Sequence, residues 1–270
     1  MHETDLDPAS LRDWMAAVGL LRITSEATTI GRGHWAIIAN RYRFVIAGAP
    51  ETFPQLCSQW ITAQQSAFDF GGADNVDFDD AFWRQHATAA RGICAELWAA
   101  IASDAVWHYN GKKLQASGLE YGHGGGHQDW LGSMRGFIAR GVTPEAMAVF
   151  LRGERNEGMA HGICRWDPGC ERDHAYRAKA PTDDRMTQDQ TINALAVIGL
   201  ASCPSAPTRS GLVSAIADRR VLNWPVWTEP IRIAELEAAL CCGWTWPTMQ
   251  SERQLSGKLY RFLQGRLREP

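Results

Sequence analysis

The fold of this chain is organised around one stretch, residues 6–25, which reads LDPASLRDWMAAVGLLRITS. Asp7, Pro8 and Ser10 are residue types typical of the start of a helix. The apolar residues that follow recur at helical spacing on one face, before Thr24 and Ser25, and they are Leu11, Met15, Val18, Leu20 and Leu21. We therefore expect a core helix here.

Two hairpins are predicted further along the chain. Residues 35–38 and 42–46 are rich in β-branched and aromatic residues and flank a short turn. Residues 106–109 and 112–116 flank Asn110-Gly111, a strong hairpin signal, and Lys112 and Lys113 are expected to begin the second strand.

Helical periodicity accounts for most of the rest. It occurs in residues 50–67, 79–102, 130–138, 144–151, 187–200 and 251–267. An acidic connector, residues 69–80, is expected to be an exposed loop. The last helical segment is basic, so its polar face should be cationic. These elements predict an α+β fold, dominated by helices with short antiparallel hairpins, either as one compact domain over 1–270 or as two lobes, 1–151 and 152–270.

The composition is that of an ordinary globular protein. The chain has 270 residues, of which 45% are hydrophobic and 21% charged. No apolar run reaches the roughly 18 residues that a membrane span needs, and the N-terminus is acidic, unlike a secretory signal. Seven cysteines, an odd number, are expected to be reduced thiols. We therefore expect a cytoplasmic protein with no membrane partner.

The basic residues are strongly biased towards arginine. Only four of the 27 basic residues are lysines, although the net charge is −3. Arginine suits phosphates and guanine edges, but a GC-rich genome gives the same bias. The chain also has twelve tryptophans. Those near prolines, glycines or charges are either core residues or platforms for stacked bases, and they are Trp166, Trp224, Trp227, Trp244 and Trp246.

The glycine run in YGHGGGHQDW, residues 121–130, is the first candidate site. Glycines let backbone N–H groups approach a ligand, and a helix is predicted to follow, which favours phosphate. The candidate contacts are Gly124, Gly125, Gly126, His127 and Gln128, with Arg135 on the following helix and Lys112 and Lys113 before the loop. The spacing matches no nucleotide-binding motif. The alternative is a flexible loop with solvated histidines.

A second constellation lies in residues 161–174. His161, Cys164, Cys170 and His174 are the ligand types of a structural zinc site, but five residues separate the cysteines and the histidines flank them, unlike known fingers. These groups also allow a small metal-dependent hydrolase as an alternative function. Because no recognised catalytic motif occurs, an enzyme is not the favoured interpretation, and no cofactor is expected.

Three pieces of the chain resemble subunits of type I CRISPR RNA-guided effector complexes, especially large and accessory subunits of the type I-G (formerly I-U) systems. They are residues 6–23, the Gly124–Asp129 loop, and the Arg165-Trp166-Asp167-Pro168 region with residues 172–200. The resemblance implies a non-catalytic subunit whose partners are guide RNA, target DNA, other effector subunits and a helicase-nuclease.

The resemblance also suggests a second contact set. It comprises Arg165, Arg172, Arg177 and Lys179, with Trp166 as a stacking or wedge residue. A third alternative is a scaffold subunit that makes only protein contacts.

Overall fold

Helices occupy the centre of this α+β chain, whose computed structural model describes residues 1–108, 111–121, 129–159, 164–170, 187–209, 211–218, 220–256 and 259–268. The helices are α1 (Leu11–Ala27), α2 (Phe53–Ala63), α3 (Asp80–Ala89), α4 (Ile93–Ile101), α5 (Trp130–Ala139), α6 (Pro144–Phe150), α7 (Gln190–Leu200) and α8 (Ile233–Cys242). The strands are β1 (His2–Glu3), β2 (Arg32–Ile38), β3 (Arg41–Ala47), β4 (Ala102–Trp107), β5 (Leu114–Ala116), β6 (Glu157–Met159), β7 (Thr187–Asp189), β8 (Ser205–Thr208), β9 (Gly211–Ser214), β10 (Val221–Pro225), β11 (Thr248–Ser256), β12 (Leu259–Phe262) and β13 (Arg266–Arg268). All strand pairs between these elements are antiparallel, so the predicted fold class is confirmed.

The core is built on α1 and α7. Ser10 caps α1, since its Oγ accepts a hydrogen bond from the Asp13 amide at 3.3 Å, and residues 11–25 are all buried. Every residue of α7 after Gln190 is also buried, which is typical of helices covered on all sides. The two helices pack at Gly19 and Gly199, where neither backbone carries a side chain. The core helix predicted from residues 6–25 is therefore confirmed.

The N-terminal hairpin is also confirmed. β2 and β3 pair over their whole length, and β1 adds to the far side of β3. The free edge of β2 receives a segment from the second half of the chain, because the Trp35 amide donates to the Trp227 carbonyl and the Gly33 amide to the Ile231 carbonyl, both at 2.9 Å. The buried core thus includes residues on both sides of position 151. The choice between one domain and two lobes stays a prediction.

Several elements begin or end at residues other than those predicted from the sequence. Residues 79–102 form two helices, α3 and α4, because Gly92 between them has a φ of 54°, outside the helical range. β4 and β5 form the second predicted hairpin, but β5 begins at Leu114, so Lys112 and Lys113 precede the strand. α5 and α6 are found where predicted, and the first part of 187–200 is strand β7. In the described part of the chain, no helix has the length and apolar character needed to cross a membrane.

The predicted basic helix at residues 251–267 is wrong. β11 pairs with β10 along one edge and with β12 and then β13 along the other. Burial alternates with the period of a strand, since Met249 and Ser251 are buried while Gln250 and Glu252 are not. Two glycines within this range, at positions 257 and 265, also disfavour a helix by about 1 kcal/mol each.

Candidate nucleic-acid interface

Many of the predicted site residues lie outside the described part of the chain. These are Gly124, Gly125, Gly126, His127, Gln128, Arg172, Arg177 and Lys179, together with the metal candidates His161 and His174 and the side chain of Cys170. The structure does describe residues on either side of both predicted contact segments.

The flanking residues meet at three aromatic rings, Tyr121, Trp130 and Trp166, which we call the aromatic frame. Tyr121 lies edge-on to Trp130, with ring centroids 6.3 Å apart, and edge-on to Trp166, with centroids 5.7 Å apart. Tyr121 directly precedes residues 122–128, and Trp166 lies between the two gaps at 160–163 and 171–186. The described ends of the glycine loop and of the arginine segment are therefore in contact with each other.

Trp166 does not serve as the predicted stacking or wedge residue. Its side chain is fully buried, and its indole N–H donates to the Leu119 carbonyl at 2.8 Å. Trp224 and Trp227 are buried in the same way, with their indole N–H groups bonded to the carbonyls of Pro8 and Gly33. These three tryptophans therefore fill the core, and each buried indole N–H has the hydrogen-bond acceptor that it needs. Trp244 and Trp246 remain partly exposed.

An ion-pair network holds the aromatic frame against the start of α1. Arg12 lies 3.1 Å from Asp13 and 2.7 Å from Asp167, and its amide donates to the Trp166 carbonyl at 3.2 Å. Arg155 bridges Asp13, at 2.6 Å, and Asp5, at 3.2 Å. Because Asp13 is almost completely buried, both guanidinium groups are held in one orientation by it.

Two of the predicted cationic contacts are paired with carboxylates of the acidic connector. Lys113 lies 3.4 Å from Asp77, and Arg135 lies 2.5 Å from Asp74 while also donating to two connector carbonyls. The connector is thus anchored rather than a simple exposed loop, and Asn75 accepts the first amide of α5, that of Trp130, at 2.9 Å. Arg135 has a structural role in this arrangement.

The remaining predicted cations differ in exposure. Lys112 is exposed, and Arg165 is partly buried immediately before Trp166. The exposed Lys113–Asp77 pair is weak, since such pairs contribute about 0–1 kcal/mol, and Lys113 can exchange its carboxylate for a phosphate at little cost. Lys113 therefore remains available in energetic terms.

The described residues contain no group of three or more His, Cys, Asp or Glu side chains that could hold a metal ion. Cys164 is the one zinc candidate whose side chain is described. It is fully buried, its amide donates to Gln188 Oε1 at 2.8 Å, and burial raises the pKa of its thiol to about 12.

Glu120 is a half-buried residue immediately before Tyr121. Burial raises the pKa of Glu120 to about 8, and the positive charge of Arg253 offsets part of that rise. Arg253 itself donates to the Gly118 carbonyl at 2.8 Å, so it reaches into the same turn from β11. The carboxyl of Glu120 therefore holds its proton to a higher pH than an ordinary glutamate does.

The sheet of β10, β11, β12 and β13 has an outward polar face that the candidate list from sequence missed. Residues paired directly across antiparallel strands point to the same face, and the buried partners Trp224 and Met249 identify the opposite face as the inner one. The outward residues, which we call the C-terminal sheet face, are Asn223, Thr248, Gln250, Glu252, Gln254, Arg261, Arg266 and Arg268. Polar residues at every second position of β11, namely Thr248, Gln250, Glu252 and Gln254, are the sequence signal for this face.

Comparison with known proteins adds no family assignment. No family model matches the chain, and no curated protein matches its sequence.

Proposed function

We propose that this chain is a non-catalytic nucleic-acid-binding subunit of an RNA-guided DNA-targeting complex of the type I CRISPR class. Its binding partners in this proposal are guide RNA, target DNA and neighbouring subunits. Contacts to the flank or backbone of the target would come from the glycine loop and from the arginine segment that follows Trp166.

One observation carries the proposal, namely the contact of Tyr121 with both Trp130 and Trp166. It brings the described ends of the two segments to one part of the molecule, as a common nucleic-acid surface requires. Lys113 is linked to the same region, because its partner Asp77 and the Trp130 cap Asn75 are two residues apart in the connector. Backbone amides and cations that meet at one surface are the usual means of holding phosphates.

The experiment is a binding titration of the purified full chain with labelled DNA at several salt concentrations. We expect binding that weakens as salt rises and that falls about tenfold or more when Lys112, Lys113 and Arg177 are all changed to Ala. Copurification with a ribonucleoprotein from the native host is the second expected result. A triple variant with Arg41, Arg91 and Arg209 changed to Ala removes the same charge elsewhere and serves as the control.

The other two functions predict different results. A metal-dependent hydrolase would contain stoichiometric metal in the purified chain. A scaffold that makes only protein contacts would show the same DNA affinity in the lysine variant as in the unaltered chain. Either result would count against the proposal.

A further inference from the structure

We propose that the C-terminal sheet face binds single-stranded nucleic acid, with a base stacked on Trp244. The inference rests on the proposed function for the class of ligand, but it concerns a different surface from the aromatic frame and its loops. Three groups of described residues carry it: the exposed Arg266 and Arg268, side-chain amides and a partly exposed indole.

The arginines of this face differ from the other arginines of the chain. Many of those form ion pairs with carboxylates, among them Arg12, Arg22, Arg32, Arg43, Arg84, Arg135, Arg152 and Arg155. Arg266 and Arg268 are exposed, and within the described part of the chain neither has a carboxylate partner. They are two residues apart on β13, so both side chains project from the same face about 7 Å apart. Two adjacent unpaired guanidinium groups favour a phosphate backbone as the occupant.

Side-chain amides extend this polar surface across the sheet. Gln250 lies directly between Asn223 on β10 and Arg266 on β13, and its amide nitrogen donates to Asn223 Oδ1 at 3.0 Å. Gln254 accepts from Arg261 at 2.8 and 3.2 Å, which orients that guanidinium along the face. Amide and guanidinium groups on a rigid sheet can bond to phosphates and base edges without reordering the backbone.

Trp244 indicates a single strand rather than a duplex. Its indole N–H donates to Thr248 Oγ1 at 3.0 Å, and Thr248 is paired with Arg268, so the ring lies at the Arg268 end of the face. The ring packs against the core but remains partly exposed. A partly exposed indole beside two adjacent cations favours stacking of single-stranded bases, because a duplex hides the faces of its bases.

Glu252 provides a sharp test, since it is the acidic residue of the face. It lies on β11 between Gln250 and Gln254 and is exposed. Its negative charge should repel a phosphate backbone that follows the arginines. Replacing Glu252 with Gln should therefore strengthen binding, a gain that damage to the fold would not produce.

The experiment measures fluorescence anisotropy of labelled oligothymidylate, oligouridylate and a DNA duplex with the full chain, over a range of salt. For Arg266→Ala with Arg268→Ala we expect about tenfold weaker binding of the single strands, with the log–log salt dependence reduced by about 1.4. Trp244→Leu should weaken binding about fivefold or more with little change in the salt dependence. Glu252→Gln should strengthen binding by about two- to threefold. The control is Arg41→Ala with Arg209→Ala, which removes two exposed charges outside this sheet.

The outcomes separate this inference from the proposed function. Binding to single strands that is equal in the Arg266/Arg268 variant and the control overturns the sheet inference alone, particularly when the Lys112/Lys113/Arg177 variant still loses DNA. Preference for the duplex over both single strands also overturns it. The absence of all nucleic-acid binding in the unaltered chain overturns both. Comparison of oligothymidylate with oligouridylate then shows whether DNA or RNA is the preferred strand.

Discussion

Gly19 of α1 lies directly against Gly199 of α7, so the two central helices touch through their backbones. A Cβ atom on Gly19 would overlap the Leu195 carbonyl oxygen and lie 3.0 Å from the Gly199 nitrogen. A Cβ on Gly199 would likewise overlap the Met15 carbonyl oxygen and lie 3.2 Å from the Gly19 nitrogen. The two helices could not approach this closely with any other residue at either position.

Gly19→Ala should therefore destabilise the protein, even though alanine favours a helix. Overpacking against backbone that cannot move aside costs about 1–3 kcal/mol or more, which exceeds the gain of roughly 1 kcal/mol in helix propensity. The free energy of unfolding in urea measures the difference. Gly136→Ala in α5 is the control, because no atom lies within 4 Å of its added Cβ, and it should be neutral or stabilising. Equal effects of the two substitutions would show that the helices are not packed this closely.

Asp13→Ala should destabilise the protein more than the loss of any surface ion pair. Asp13 accepts from Arg12 and Arg155, and removing it leaves the buried Arg12 and the partly buried Arg155 with fewer acceptors. Breaking a buried pair in this way costs about 3–5 kcal/mol.

Asp77→Ala is the matched control, since it removes a carboxylate whose partner Lys113 is about half exposed, at 48%. We expect a change below about 1 kcal/mol for that variant. Thermal unfolding of both variants at one pH tests the difference. If Asp13→Ala loses no more stability than Asp77→Ala does, the ion-pair network around Asp13 adds little to the stability of the fold.

The sequence revealed those elements whose signals are local. The cap at Ser10 and the apolar spacing after it identified α1, and Thr143 followed by Pro144 identified α6. The burial of Trp166 could not be foreseen, because it depends on Leu119, which is 47 residues away and supplies the acceptor for its indole N–H. The same limit applies to the pairing of Arg135 with Asp74.

The C-terminal segment, residues 251–267, is predicted as a helix but forms strands. The spacing of its basic residues predicts a helix with a cationic polar face. The segment forms a strand instead because β11 pairs with β10, whose residues 221–225 lie well before it in the sequence. The cationic surface expected there is present, but on a sheet, where Arg266 and Arg268 stand beside Gln250 rather than on successive helical turns.

The pH dependence of stability should contain a contribution from Glu120. Burial raises the pKa of its carboxyl from 4.5 to about 8, so over that interval the folded chain keeps a proton that the unfolded chain has lost. Folding is therefore coupled to proton uptake, and stability falls as pH rises through this range, by up to about 1.4 kcal/mol per pH unit. Below pH 4.5 both states are protonated and the contribution is constant.

Glu120→Gln keeps the shape of the neutral carboxyl and removes its titration. We expect the melting temperature of this variant to depend less on pH between 5 and 8 than that of the unaltered chain, and its relative stability to be greatest at pH 8. Glu229→Gln, at an exposed position, is the control and should leave the pH dependence unchanged. The measurement is a series of thermal melts at constant ionic strength. If Glu120→Gln and Glu229→Gln give parallel curves, Glu120 is ionised in the folded protein and the turn before Tyr121 is more open to water than its burial indicates.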